Sequence, residues 1–238
     1  MKCLIVAAGQ GSRLRDKGPL KPLVTIRGRP LIAEVIDRAR RGGVDEFVII
    51  NGYRGDELRT ALDDMAECDG VRVTHVHNPA WDRANGVSVL CARPFLDGPF
   101  LLTMCDHVLD PEINRLMAAI PAGRDGVTLG VDSNVERMLN DPDDVTRVLC
   151  RDGRIERIGK SLAEFNAFDT GIFRCTPEMF DALESSQAEG EDSISGAMNT
   201  LARWHKAYVL DIGEHLWIDV DDPVAYDKAE RLMAQGLL

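Results

Sequence analysis

Two groups of charged residues stand out in this 238-residue chain. Near the amino terminus, Ala7-Ala8-Gly9-Gln10-Gly11-Ser12-Arg13-Leu14 is followed by Lys21-Pro22-Leu23. Glycines let backbone N–H groups approach a phosphate, because no Cβ intervenes. Arg13 and Lys21 could then offset the repulsion between two phosphates brought together for reaction. Far along the chain, Asp106 closes the apolar run 100–105, and Asp219 and Asp221 lie in Leu216-Trp217-Ile218-Asp219-Val220-Asp221-Asp222-Pro223. On an extended segment Asp219 and Asp221 share one face. Together with Asp106 they could hold Mg²⁺ through oxygen, phosphate oxygens and water completing the octahedron. Each acid also has a plainer reading. Asp106 could cap a helix beginning near Asp110, and the acids before Pro223 could cap the last helix, a role that suits Asp222 best.

The elements that must position these groups can be read from periodicity. Residues 3–7 form a buried strand, so the glycine loop over 8–13 follows a strand directly. A helix is expected from Pro30, placed at its first position, to Arg41, with Leu31, Val35, Ile36 and Ala39 on one face. Strands over 47–50, 71–76 and 100–104 and a helix over 55–65 continue the alternation. Such alternation implies right-handed crossovers, a mainly parallel sheet and helices on both faces. The second half changes texture. Residues 133–144 are polar and acidic and read as an exposed loop. Residues 145–150 and 154–158 read as a hairpin turning at Asp152-Gly153. Strands over 169–175, 208–212 and 217–220 and helices over 177–188, 193–204 and 223–235 complete the chain. One α/β domain spans 1–238, its first half (1–110) carrying the loop and its second half (111–238) decorating the sheet with the hairpin.

Composition excludes several classes. A net charge of −11 argues against a nucleic-acid partner, which needs a basic surface. An anionic substrate must then meet a locally basic pocket. The six cysteines form no CxxC pair; Cys3, Cys105 and Cys175 sit in apolar runs and read as small core residues. No run approaches the roughly 18 apolar residues of a membrane span, and the first residues lack a cationic leader. A cytoplasmic protein is expected, with dimerisation left open.

Three phosphate-binding motifs compete for the loop. A P-loop ends in Gly-Lys-Ser/Thr, whereas this loop gives Gly-Ser-Arg. A dinucleotide fingerprint needs glycine at position 14 and an acid after the second strand; Leu14 and Asn51-Gly52 stand there. The run Ala-Ala-Gly-x-Gly-x-Arg-Leu with Lys-Pro-Leu resembles the opening of the sugar-phosphate nucleotidyltransferase superfamily. The resemblance implies a Rossmann-like fold and transfer of a nucleoside monophosphate with release of pyrophosphate. Gly9, Gly11 and Ser12 would wrap the NTP, Arg13 would contact its outer phosphates, and Lys21 would neutralise the reacting phosphate. Asp106 would be the principal Mg²⁺ ligand. One departure is Leu20, where many members have proline.

A closer resemblance runs through Asn78-Pro79-Ala80-Trp81, Asn85-Gly86-Val87-Ser88, Asp106-His107, Asp144-Val145-Thr146, Ile158-Gly159-Lys160, 165–171 and Trp217-Ile218-Asp219. These stretches are similar to the CTP:inositol-1-phosphate cytidylyltransferase family. By that likeness Asn85 and Gly86, with the amides of Ala7 and Ala8, would surround cytosine. Lys160 would hold the acceptor phosphate, and Asp169 and Thr170 the hydroxyls of a small phosphorylated polyol. No general base is required, because the acceptor is already anionic, and His107, one residue from Asp106 on a strand, is expected to face the core or to support the site. Plainer readings stand beside these: Asn85-Gly86 as a tight turn, Lys160 as a surface lysine, Asp169 as the start of a strand. Rival acceptors are phosphocholine, aminoethylphosphonate and sugar 1-phosphates, the last with UTP or dTTP. Only 5% aromatic residues argue against an aromatic cage for a quaternary ammonium. The Asn85-Gly86 pattern argues against a purine pocket. A nucleotide-binding regulatory subunit is the non-enzyme alternative; silent subunits of the superfamily lose the Arg, Lys or Asp kept here as Arg13, Lys21 and Asp106.

Overall fold

The computed structural model describes residues 1–137 and 139–238, with the side chains of Cys68 and Asp69 also outside the description. The Met138 part of the 133–144 loop therefore lies outside the described residues.

Strand β1 (Lys2–Val6) leads into the glycine loop, and a small ribbon of β2 (Thr25–Ile26) and β3 (Arg29–Pro30) precedes α1 (Leu31–Arg41). Pro30 is not the first helical residue: its ψ of 140° is extended, and it pairs with Thr25. The apolar face of α1 is buried as its spacing requires, and Glu34 and Arg38 are buried with it. Then follow β4 (Glu46–Asn51), α2 (Gly55–Asp69), β5 (Arg72–His77), α3 (Asn85–Cys91) and β6 (Phe100–Met104). Strand β7 (His107–Leu109) and α4 (Pro111–Ala118) come next, then β8 (Val127–Asp132), β9 (Arg147–Arg151), β10 (Arg154–Gly159) and β11 (Ala167–Cys175). The chain ends with α5 (Glu178–Ala188), α6 (Ile194–Arg203), β12 (Ala207–Asp211), β13 (Trp217–Asp219) and α7 (Pro223–Ala234). No described helix is long and apolar enough to cross a membrane.

The main sheet is mixed, in the order β5-β4-β1-β6-β11-β8-β12-β10-β9. Strands β5, β4, β1 and β6 are parallel, as the strand–helix alternation demands. Beyond β6 most pairings are antiparallel, with β12 against β8 the parallel exception. The β9–β10 hairpin turns on Asp152 (φ 51°) and Gly153 (φ 74°), the positive-φ pair its twist needs. Alternate residues of β1 feed separate apolar layers: Leu4 and Val6 face one side of the sheet, Cys3 and Ile5 the other. A third cluster seats α7 against Leu14, Leu31, Val108 and Ile218.

Two features aim the chemistry. Strand β1 lies between β4 and β6, so the loops after β1 and β6 open where the sheet order reverses, the usual ligand crevice of such sheets. Outside the main sheet, β13 pairs antiparallel with β7 and sets Asp219 opposite His107. The Val220 amide then donates to the Asp106 carbonyl at 2.9 Å. Residues 112 and 114 positions apart in sequence are thereby locked side by side.

Candidate active site

The glycine loop is held from below by backbone bonds. The Ala7 amide donates to the Ile50 carbonyl at 2.9 Å, and the Ala8 carbonyl accepts from the Tyr53 amide at 2.9 Å. Gly9 has open space where a side chain would stand. Gly11 adopts φ 59°, and a Cβ there would overlap the Lys21 side chain. Only glycine lets the loop fold this tightly over the lysine. Short helical turns over Ser12–Leu14 and Lys21–Leu23 then set Arg13 and Lys21 on the cleft, with Leu14 and Pro22 buried as anchors.

Lys21 is 6% exposed, its Nζ 2.5 Å from Asp106 Oδ2 and in contact with Asp221. Arg13 bridges Asp221 and Asp144, and Lys160 holds the other oxygen of Asp144. The two cations and the distant carboxylates thus form one continuous network. Burial pushes the Lys21 ammonium towards neutrality, but Asp106, Asp221 and Asp219 outweigh it and raise its pKa, so it stays charged. Burial likewise acts against the Asp106 carboxylate; Lys21 and His107 prevail and hold it well below the carboxylate range. Asp219 shifts the other way: burial and its like-charged neighbours Asp106 and Asp221 raise it, despite His107. For His107 burial is outweighed by Asp219 and Asp106, which lift its pKa to about 9.

Asp106, His107 and Asp219 bring three possible ligand atoms within 4.8 Å of one another. One oxygen of Asp219 is buried and has no hydrogen-bond partner among the described residues; His107 Nδ1 stands 3.8 Å from it. A buried carboxylate oxygen left unpaired is costly, and a cation would complete it. His107 Nδ1 lies 2.7 Å from Asp106 Oδ1 and orients that carboxylate. His107 therefore does not face the core. Strand β6 ends at Met104 and a turn at Cys105-Asp106 resets the alternation, so both side chains reach the cleft. Asp110, not Asp106, caps α4, and Asp222 caps α7 through Ala225 N at 2.8 Å.

Two hollows meet at Asn85, Met104, Asp106 and Asp221. The first includes Gly9, Gly11, Ser12, Arg13, Lys21, Trp81 and Ser88. The second includes Asp144, Lys160, Asp169 and Asp219, and Asp169 is pushed up to about 6 by burial. Ala7 also lines the first hollow, its amide engaged by Ile50, and three expected contacts lie elsewhere. Ala8 lies beneath the loop, 1% exposed. Gly86 packs against the Asp192 carbonyl, where a Cβ would collide. Thr170 is fully buried and donates its hydroxyl to the Gly130 carbonyl at 2.7 Å, away from any acceptor. The 133–144 segment is not a free loop either: Arg137 donates to the His215 and Gly213 carbonyls, and Asn140 Oδ1 accepts from the Asp219 amide at 2.8 Å. It lies on β13 and helps to fix the acidic site. Asp144, carried by that segment, is a site residue that sequence reasoning left without a role; the motif around it was the available signal.

A family model for the MobA-like NTP transferase domain matches residues 3–203. The chain belongs to this family. Nucleotidyl transfer is therefore its chemistry. Within the family's reach, it is 33% identical over 226 residues to a bifunctional IPC transferase and DIPP synthase of Rubrobacter xylanophilus, covering 92% of this chain and 49% of that protein. It is 29% identical over 240 residues to a CMP-5'-(3-aminopropyl)phosphonate synthase of Streptomyces rubellomurinus, covering 94% of this chain and 37% of that one. The chain thus spans about half or less of the length of these relatives. The solved inositol-1-phosphate CTP transferase from T. maritima superposes with a TM-score of 0.85 at 27% identity, covering 98% of this chain and 95% of that one.

Proposed function

We propose that this protein is a cytoplasmic, Mg²⁺-dependent cytidylyltransferase that joins CMP from CTP to inositol 1-phosphate and releases pyrophosphate. The observation that carries the reading is the Lys21 ammonium, buried between Asp106 and Asp221 where the two hollows meet. A cation fixed at the junction of two anion-sized spaces can offset the repulsion that keeps two phosphates apart. The likeness to the solved CTP transferase supports base and acceptor.

In this reading the loop around Gly9 and Gly11 receives the nucleotide phosphates, and Arg13 leaves Asp144 and Asp221 for their outer oxygens. Lys160 leaves Asp144 for the acceptor phosphate. Lys21 keeps both phosphates close while an acceptor oxygen forms its bond to the α-phosphorus and the α–β bridging bond breaks, pyrophosphate taking the electron pair. The acceptor oxygen is already anionic, so no residue has to remove a proton. Asp106, Asp219 and Asp221 would hold Mg²⁺: the donors are hard oxygens, and one Asp219 oxygen makes no hydrogen bond among the described residues. The bound metal would supply charge neutralisation of phosphate oxygens. His107 keeps Asp106 in place, and Asn140 keeps Asp219 in place.

A second reading, an aminoalkylphosphonate acceptor, is favoured by the Streptomyces relative and by the buried Asp169 carboxylate, which could pair with an ammonium. A panel crossing CTP, UTP, ATP and GTP with inositol 1-phosphate, aminoethylphosphonate, phosphocholine and glucose 1-phosphate, read by pyrophosphate release, separates the two. The proposal expects CTP with inositol 1-phosphate to be fastest. Fastest turnover with another pair overturns this substrate assignment.

A further inference from the structure

We infer that Ser88, polarised by Asn78, reads N3 of the pyrimidine and thereby makes the nucleotide hollow select cytosine over uracil. The inference rests on the cytidylyltransferase reading and deepens it.

A chain of fixed donors carries the argument. The Ala80 backbone N–H donates to Asn78 Oδ1 at 2.9 Å, which settles which end of that carboxamide is oxygen. The other end, Asn78 Nδ2, must then donate to Ser88 Oγ, also 2.9 Å away. Asn78 is 1% and Ser88 3% exposed, so neither can re-pair with bulk water. With its oxygen already accepting, Ser88 has one hydroxyl hydrogen left to give, and it lines the hollow that holds Gly9, Gly11 and Lys21. One helical turn earlier, Asn85 lines the same hollow. Its Oδ1 accepts from the Ile194 N–H at 2.9 Å, so its Nδ2 is the group free to face a ligand. The close seat of Gly86 against Asp192 keeps α3 at this distance from α6.

The hollow therefore presents two donors side by side. Cytosine offers two adjacent acceptors, O2 and N3, whereas uracil offers O2 beside an N3–H donor. O2 sits next to the ribose-bearing nitrogen and N3 lies further from it. The exposed Asn85 thus meets O2, and the deeper Ser88 meets N3. The Asn78 amide occupies one of the two lone pairs of Ser88 Oγ; were the second to accept from a uracil N3–H, the Ser88 hydrogen would be left in the interior with no acceptor among the described residues. Uracil then either sets donor against donor or strands that hydrogen, and a buried polar mismatch of this kind is a basis for discrimination.

The test is the ratio of kcat/KM for CTP to that for UTP, measured with inositol 1-phosphate for wild type, Ser88→Ala and Asn78→Asp. Ser88→Ala should lower the ratio about tenfold, the worth of one lost hydrogen bond, through the CTP value, with KM for inositol 1-phosphate unchanged. Asn78→Asp turns the Ser88 hydroxyl towards the new carboxylate, leaving a lone pair for the base; the ratio should fall further and UTP turnover should rise. A role confined to packing would lower both nucleotides alike. If wild type prefers CTP and Ser88→Ala, folded by circular dichroism, keeps the wild-type ratio, the Ser88 assignment is overturned while the cytidylyltransferase reading stands. A wild type that prefers another nucleotide overturns both. Should Asn78→Asp fail to fold, Ser88→Ala decides alone.

Discussion

Lys21 Nζ lies 2.5 Å from Asp106 Oδ2, although 85 residues separate them. The lysine is buried, so its charge is held by carboxylates and not by water. Lys21→Ala should leave Asp106 and Asp221 repelling one another and the reacting phosphates uncompensated. Turnover should fall on the order of a thousandfold, the usual scale for removing one preorganised electrostatic contact. Steady-state kinetics, with circular dichroism to establish the fold, check this.

Asp219 gives a prediction of opposite sign for stability and activity. Its buried oxygen, without a hydrogen bond among the described residues, and its like-charged neighbours burden the metal-free protein. Asp219→Asn should raise Tm in EDTA while abolishing turnover. Added Mg²⁺ should raise Tm of the wild type but not of the variant, because a ligand stabilises only the state that binds it. Thermal melts with and without metal provide the measurement.

Gly11 is the one loop position where glycine is required twice over, by φ 59° and by the overlap a Cβ would make with Lys21. Gly11→Ala should displace the lysine, and a shift of about 1 Å at a reacting centre costs roughly a hundredfold in rate. Gly9→Ala, with open space around it, should leave Tm unchanged and raise KM for the nucleotide. Kinetics and melts of the pair distinguish the two positions.

The loop, Lys21 and Asp106 were legible in the sequence because each follows or ends a strand within a short local pattern. Asp219 was legible as an acid at a strand, but its seat beside Asp106 depends on the β7–β13 register, which no local pattern encodes. For His107 the sequence left two readings, core or support of the site, and the turn at Cys105-Asp106, which resets the strand alternation, decides for the second. Thr170 was misjudged because its partner, the Gly130 carbonyl, lies 40 residues away on a neighbouring strand. Asn85-Gly86 could be read as a turn since α3 has only seven residues and begins there. The parallel half of the sheet followed from strand–helix alternation; the antiparallel half follows from pairings between distant segments that periodicity leaves free.

Lys160 is exposed and its partner is Asp144, so its loss should be felt in acceptor binding and little in the fold. Lys160→Ala should raise KM for the acceptor phosphate about tenfold or more, with kcat changed little, given the worth of a charge-assisted hydrogen bond. Initial rates at varied acceptor concentration test it.

Arg38 and Glu34 are buried together on α1, and Arg38 Nη1 donates to the Leu109 carbonyl at 3.1 Å, tying the helix to the strand that bears His107. Arg38→Leu leaves Glu34 in the interior with only the exposed Arg29, 3.3 Å away, as a partner, and should cost about 2 kcal/mol, lowering Tm by roughly 6 °C. Differential scanning calorimetry reads it.

The most direct test of nucleotidyl transfer at this cleft is phosphorus NMR of purified protein with CTP, inositol 1-phosphate and Mg²⁺. The account predicts paired diphosphate signals of a CDP-linked product growing with pyrophosphate in equal amounts, and neither when Lys21→Ala replaces the wild type. Release of inorganic phosphate in place of pyrophosphate, or equal product from Lys21→Ala, would contradict it.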